Sequence, residues 1–290
     1  MSDSYSGGPQ IVKTAAEMNT WALEALRAGK SIGFVPTMGA LHAGHGALIE
    51  RAVNENAAVV VSIFVNPTQF GPNEDFTRYP RPFEADVKLC ADAGVDCIYA
   101  PEPAEMYAKD ARTWVEVGGL ADHLCGLSRP GHFRGVATVV TKLLSIVRPT
   151  RAYFGKKDAQ QLRIIEVLTR DLNLGVEIVP CEIVREADGL AMSSRNRYLS
   201  ADERREALVL HRTLKYFEER VASGERDAMK LLGELAEKIE AAQGAEIDYV
   251  AIVDAITLED IAEIKGEVLA ALAVKFGTTR LIDNIRVMVG

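Results

Sequence analysis

The stretch SIGFVPTMGALHAGHGALIERAVNENAAVVVSIFV, Ser31 to Val65, decides the fold. It begins with a short apolar run, SIGFVP, that suits a buried strand. From His45 onward Leu48, Ile49, Ala52 and Val53 form an apolar stripe at helical spacing. AAVVVSIFV follows as a nearly continuous β-branched run, the texture of a strand covered on both faces. Strand, helix and strand in that order make one unit of a parallel sheet.

The alternation extends both ways. Thr14 and Glu17 have capping-box spacing ahead of AEMNTWALEALRAG, with Gly29 placed to end that helix. PFEADVKLCADAG reads as a helix and VDCIYAP as a strand. GVATVVTKLLSIV reads as a helix stopped at Arg148-Pro149, and RAYFG as a strand. DAQQLRIIEVLTRDLNLG reads as a helix ending at its glycine, and VEIVPC as another strand. The expected class is therefore α/β: a Rossmann-like parallel sheet with helices on both faces, filling residues 1–184. Right-handed crossovers place the loops after the strands along one edge, where ligands bind.

Residues 185–290 have a different texture. Ser200 and Glu203 open a capping box, and Ala207, Leu210, Leu214, Phe217 and Val221 predict one long amphipathic helix. DAMKLLGELAEKIEAAQG predicts a second helix, and IDYVAIVDA, VLAALAVKFG and TRLIDNIRVMV predict strands. A smaller C-terminal α+β domain is expected.

The chain of 290 residues has a formal charge of −8, which argues against a broad basic surface for nucleic acid or anionic lipid. There is no apolar run of about eighteen residues to suggest a membrane span. The opening MSDSYSGGPQ reads as a loose polar tail rather than a secretory signal. Cys90, Cys97, Cys125 and Cys181 lack CxxC spacing and read as reduced thiols of a cytoplasmic protein.

Several motifs fall where strands give way to helices. In PTMGALHAGHG, the helix start offers unpaired N–H groups and a positive dipole end, which attract phosphate. Gly39, Gly44 and Gly46 leave room for close approach, and His42 and His45 could point ring N–H groups at phosphate oxygens. The same residues also suit a glycine turn carrying two exposed histidines. A metal site could begin from the two rings, although no nearby carboxylate completes it.

FVNPTQFGPNEDF places the neutral amides of Asn66 and Gln69 after the next strand, suited to hydroxyls or a carboxylate, with Gly71-Pro72-Asn73 as a mobile flap. RAYFGKKDAQQL repeats the strand-to-helix arrangement with Lys156, Lys157, Asp158 and Gln161. GLAMSSRNRYLS offers Ser193, Ser194 and Arg195 as compact phosphate ligands. SRPGHFRGV adds Arg129, His132 and Arg134, of which one could meet a carboxylate. Together these motifs favour a phosphate-rich nucleotide.

PTMGALHAGH, FVNPTQF, FGKKDAQQL and MSSRNRYLS, in this order and with READGLA and GHFRGV, resemble the pantoate–β-alanine ligase family. The resemblance covers about residues 30 to 200. The wider group is the nucleotidyltransferases with a His-x-x-His signature.

The resemblance implies an ATP-dependent ligase of pantothenate and coenzyme A biosynthesis. It would form pantoyl adenylate and then pass the acyl group to β-alanine. It implies ATP binding by Met38, Gly39, Ala40, Leu41, His42, Ala43, Gly44 and His45, by Gly155, Lys156, Lys157 and Asp158, and by Val184, Met192, Ser193, Ser194 and Arg195. His45 is implied as proton donor, and His42, Lys157 and Arg195 would gather around the reacting phosphate. Gln69 and Gln161 are implied for pantoate and Gln69 also for β-alanine, with Asn66 and Arg129 as further substrate contacts.

Mg²⁺ would travel on the ATP phosphates, with no protein ligand assigned to it. A cytoplasmic homodimer with small-molecule substrates, and no nucleic-acid or membrane partner, completes the expectation. The C-terminal domain is implied as a lid. An adenylyltransferase acting on another small acid or on a phosphorylated substrate is the alternative enzyme. A nucleotide-sensing or RNA-binding module is the non-enzymatic one.

Overall fold

The computed structural model describes residues 8–72 and 74–290, so Asn73 of the expected flap and most of the expected tail lie outside the described residues. The elements run β1 (Gln10–Val12), α1 (Ala15–Arg27), β2 (Ile32–Thr37), α2 (Ala43–Glu55), β3 (Ala58–Ile63) and α3 (Phe83–Asp92). Next come β4 (Cys97–Tyr99), the short α4 (Pro103–Met106) and α5 (Cys125–Ser128), then α6 (His132–Val147), β5 (Arg151–Gly155), α7 (Ala159–Asp171) and β6 (Glu177–Cys181). The chain ends with α8 (Ala201–Glu206), α9 (Val209–Ala222), α10 (Ala228–Glu240), β7 (Ala245–Asp254), β8 (Gly266–Phe276) and β9 (Thr279–Val289). By internal contacts it divides into two units. One holds the chain up to Gly118 with Arg129–Lys156 and Ile164–Glu182; the other holds Gly119–Ser128, Lys157–Arg163 and Ile183–Gly290.

In the first unit, β1 to β6 of the described residues form one sheet in the order β1-β4-β3-β2-β5-β6. Each neighbouring pair is parallel. Val59 and Val61 of β3 share a buried cluster with Val35, Ile49, Ala52, Cys90 and Ile98. The period of two sends Val60, wholly buried, to the opposite face. With both faces covered, the run has no polar alternation. Each such side chain contributes about 1.5–3 kcal/mol by leaving water.

Local signals set several helix ends. Around the start of α1, Thr14 Oγ1 accepts from the Glu17 N–H at 3.2 Å, and Glu17 Oε2 accepts from the Thr14 N–H at 2.9 Å. Helix α7 stops at Asp171, four residues before the glycine expected to end it. Asn173 takes the left-handed turn at φ 50, and Leu174 N donates to Thr169 O at 3.1 Å. Asparagine tolerates that region and closes the helix first. Gln10, read as part of a polar tail, instead pairs with Cys97 at the sheet edge.

The second unit contains the antiparallel sheet β7-β8-β9. One face packs Leu272, Val274 and Leu281 against Leu210, Leu214 and Phe217 of α9 and Leu231 and Leu235 of α10. The other packs Leu269, Ala271 and Val253 with Leu124, Ala159 and Leu258. The apolar stripe expected of a single long helix is buried as expected, but α8 and α9 are separate. Leu210 N turns to Ala207 O at 3.2 Å, a tighter three-residue step that interrupts the α-helical ladder.

Candidate active site

The order of the first sheet sets where a ligand can bind. From β2 the chain steps to β3 and β4 on one side, while β5 and β6 lie on the other. Phe34 pairs with Ala152, so Thr37 and Gly155, three residues on in each strand, end in the same register. The loop from Met38 to His42 and the turn beginning at Gly155 thus leave the sheet side by side at its switch point.

A carboxylate that sequence reasoning missed shapes the first loop. Asp86 of α3, only 2% exposed, accepts from Ala40 N and Leu41 N, each at 2.8 Å. Gly39 at φ 79 and Ala40 at φ 51 make the turn that presents both N–H groups to it. The Thr37 hydroxyl accepts from Gly39 N at 3.1 Å and donates to Ser62 O at 2.7 Å. An aspartate amid an amphipathic helix pattern looks like ordinary surface charge, which is why it gave no sequence signal.

His42 caps α2. Its Nδ1 accepts from Gly44 N at 3.1 Å, while His42 N reaches His45 Nδ1 at a long 3.4 Å. The ring centroids lie 4.2 Å apart. Accepting at Nδ1 directs the ring proton of each imidazole to Nε2. A second proton would break these bonds and add charge at the positive end of the helix. The backbone N–H groups of Gly39, Ala40, Leu41, His42 and Gly44 are all engaged within the protein.

Gln69 ends a short 3-10 turn, Pro67–Gln69. Asn66, 1% exposed, donates from Nδ2 to Gln69 Oε1 at 3.0 Å and to Gly135 O at 3.2 Å. Its Oδ1 accepts from the Thr68 and Tyr107 hydroxyls, both at 2.9 Å. Of the polar atoms of Asn66, an expected substrate contact, Nδ2 thus holds Gln69 and Oδ1 holds Thr68 and Tyr107. Gln69 Nε2 reaches Met38 Sδ at 3.0 Å.

Gly135 of α6, which the sequence did not single out, permits this arrangement. A Cβ there would lie 2.3 Å from Thr68 O.

Arg129 does grip a carboxylate, but it is Glu74 of the same chain, at 2.6 Å to each oxygen. Burial pushes the Glu74 carboxyl up, yet the hydrogen bonds and charge of Arg129 outweigh it and hold it below its ordinary range. Arg129 Nη2 and His132 Nδ1 also meet Gln69 O, at 3.3 and 2.8 Å. Arg134 stands apart, 3.5 Å from Glu116 and stacked over Trp114.

The remaining expected residues are split. Gly155 and Lys156 belong to the first unit, where Lys156 pairs with Glu182. Lys157, Asp158, Gln161, Val184 and Met192 to Arg195 belong to the second. Lys157 Nζ lies 4.0 Å from Asp158 Oδ2. Gln160 is buried and spends its amide on Cys125 N, Leu120 O and His123 O, at 3.0, 2.8 and 2.7 Å. Gln161 is only half-buried, so of this pair it is the amide suited to a ligand. Ser193 caps the turn Ser194–Tyr198, its hydroxyl accepting from Arg195 N at 3.2 Å.

Comparison with known proteins matches this arrangement to one family. The sequence profile of the pantoate–β-alanine ligases fits residues 10–286. The chain belongs to that family. A pantothenate synthetase of Acetivibrio thermocellus is 54% identical over 97% of this chain and 100% of its own length. Another, from Thermotoga petrophila, is 56% identical over 95% and 98%. The crystal structure of the Thermus thermophilus pantothenate synthetase superposes with a TM-score of 0.89 at 45% identity, covering 95% of this chain and 98% of the other. The pantoate–β-alanine ligase of Francisella tularensis, solved with β-γ ATP and β-alanine, gives 0.79 at 36% identity over 95% and 96%. A six-stranded parallel sheet followed by a small antiparallel one is thus the fold this family shares.

Proposed function

We propose that this chain joins pantoate to β-alanine at the expense of ATP, releasing AMP and diphosphate. The pantoate carboxylate attacks the α-phosphorus, and diphosphate leaves. The amine of β-alanine then attacks the acyl carbon of pantoyl adenylate, AMP leaves, and the amine sheds a proton. The observation that carries this reading is the histidine pair capping α2 at the sheet's switch point, on a chain of this family.

The first step brings two anions together, so alignment and charge neutralisation dominate. His42 and His45 donate from Nε2 to phosphate oxygens. This reading gives His45 the role of hydrogen-bond donor to the charge growing in the transition state, without full proton transfer. Lys157, Arg195, Ser193 and Ser194, with Gly155, Lys156 and Asp158, are the residues this reading assigns to the triphosphate. Met38 to His45, Val184 and Met192 frame the nucleotide. Gln69 and Gln161 take pantoate, and Gln69 also β-alanine. Asn66 and Arg129 act behind Gln69 as positioning residues.

Among the described residues no group of three His, Cys, Asp or Glu side chains converges to hold a metal ion. Mg²⁺ enters this reading with the ATP phosphates, where it would neutralise charge. A reducing, cytoplasmic setting suits the four free, buried cysteines. A homodimer rests on the family resemblance, and sedimentation velocity tests it.

The deciding experiment is pantoate-dependent exchange of labelled pyrophosphate into ATP. His45→Ala should fold normally and lose exchange by about 10²–10³-fold, as removal of one aimed donor does elsewhere. Near-parental exchange would remove His45 from the first step.

A further inference from the structure

Asp283 and Asn284 are neighbours on β9 and both buried, at 2% and 5% exposure. Strand alternation sends their side chains to opposite faces. Asp283 pairs in register with Leu272, which belongs to the core under α9 and α10. Asn284 pairs with Ala271, which belongs to the core of the other face. One point on one strand therefore reaches two separate segments.

On its face, Asp283 takes the fork of Arg185, with Nη1 donating at 2.6 Å and Nη2 at 3.0 Å. Arg185 Nη1 also donates to Gly189 O at 3.1 Å, and Arg185 bridges Ala191 across a hairpin. Met192 N donates to Val184 O at 3.0 Å. The hairpin runs straight on into Ser193, Ser194 and Arg195. Asn196 ties that turn back, donating from Nδ2 to Ala191 O at 3.1 Å and to Glu186 Oε1 at 2.8 Å. On the opposite face, Asn284 Nδ2 donates to Lys157 O at 2.8 Å. Asp283 Oδ1 accepts from Asn284 N at 2.9 Å, which locks the two together.

We infer that Asp283 and Asn284 form a positioning node that sets both cationic segments, Lys157 and Ser193–Arg195, for the triphosphate. This rests on the function proposed above, and it adds residues that touch no substrate. Electrostatic stabilisation works only when the charges are placed before the reaction begins. A misplacement of about 1 Å can cost about 10²-fold in rate. A bidentate Arg185–Asp283 pair is stiff enough to hold one segment, and the amide holds the other.

The test uses the full chain with Asn284→Ala, and Asp283→Asn as a second variant. Two half-reactions are read separately: pantoate-dependent pyrophosphate exchange, and consumption of supplied pantoyl adenylate by β-alanine. Exchange should fall by about 10–10²-fold with a raised KM for ATP. The second half-reaction should stay within about twofold of the parent, a split that mere loss of structure would not give. In a Lys157→Ala background, Asn284→Ala should weaken ATP binding by less than about threefold further, because both act through one group.

Parental exchange in a folded variant, equal losses in both half-reactions, or full additivity with Lys157→Ala overturns the inference. If Asp283→Asn does not fold, the Asn284→Ala results decide alone. A parent chain without any exchange would instead sink the functional reading, and this inference with it.

Discussion

Replacing Gly135 by alanine should damage the proposed pantoate site at Gln69 while leaving the protein folded. The added Cβ would lie 2.3 Å from Thr68 O, 2.6 Å from Thr68 C and 2.8 Å from Gln69 N. Carbon and oxygen come no closer than about 3.3 Å in favourable contacts, so α6 and the 3-10 turn must separate by about 1 Å. Overpacking of this kind costs about 1–3 kcal/mol. Alanine gives back about 1 kcal/mol of helix propensity. The net loss is then about 0–2 kcal/mol, and each kcal/mol lowers Tm by about 2–4 °C in a chain of this class. Catalysis should suffer more. The turn carries Gln69, and the Asn66 bond to Gly135 O, 3.2 Å long, spans the same gap. We expect kcat/KM for pantoate to fall by about 10²-fold. Steady-state kinetics with pantoate varied, together with calorimetry for ATP and a thermal melt, check this. Parental pantoate kinetics in a folded variant, or an equal loss of ATP affinity, would refute the reasoning.

Other outcomes follow from residues already placed. Asp86→Asn should turn an amide N–H toward one of the loop's buried N–H groups; the mismatch costs about 1–3 kcal/mol, visible in urea unfolding, and ATP binding should weaken. Gln160→Ala should lower stability with pantoate affinity kept, whereas Gln161→Ala should do the reverse; melts and substrate titrations on the pair separate them.

A pH effect is expected at His211. Burial first, then the charge of Arg185, holds its imidazole below the ordinary value, with Lys215 acting the same way and Asp283 and Glu218 opposing. The folded chain binds fewer protons there than the unfolded one. Its contribution is complete above the unfolded value of about 6.5 and is lost as pH falls through the lower folded one. His211→Phe should therefore show a flatter loss of stability than the parent between pH 7.5 and 5.5 in urea titrations.

The sheet was legible because its signals are local. The unbroken Val59–Val61 run told of two covered faces, and Thr14 with Glu17 marked a helix start from spacing alone. Where the sequence misled, tertiary geometry had the deciding vote. Asn173 ended α7 ahead of a glycine that propensity favoured. Arg129 had the right chemistry for a carboxylate, but only the fold shows that Glu74 supplies it. Asp86, Gly135 and Asn284 left no motif at all, because each acts on the backbone of a residue at least 40 positions away. A linear pattern records what a residue is, and these three matter for what they lie against.

Ala40 has a consequence of its own. At φ 51 an alanine sits where a β-carbon is unwelcome, a cost of about 1–3 kcal/mol that the clamp of Asp86 offsets. Glycine would remove that strain but enlarge the range of shapes open to the free loop. The loop meets this strain during folding, so under the proposed function a nucleotide would find a preorganised rim and lose less entropy in binding. Ala40→Gly is thus a place where a steadier fold and a tighter grip pull in opposite directions.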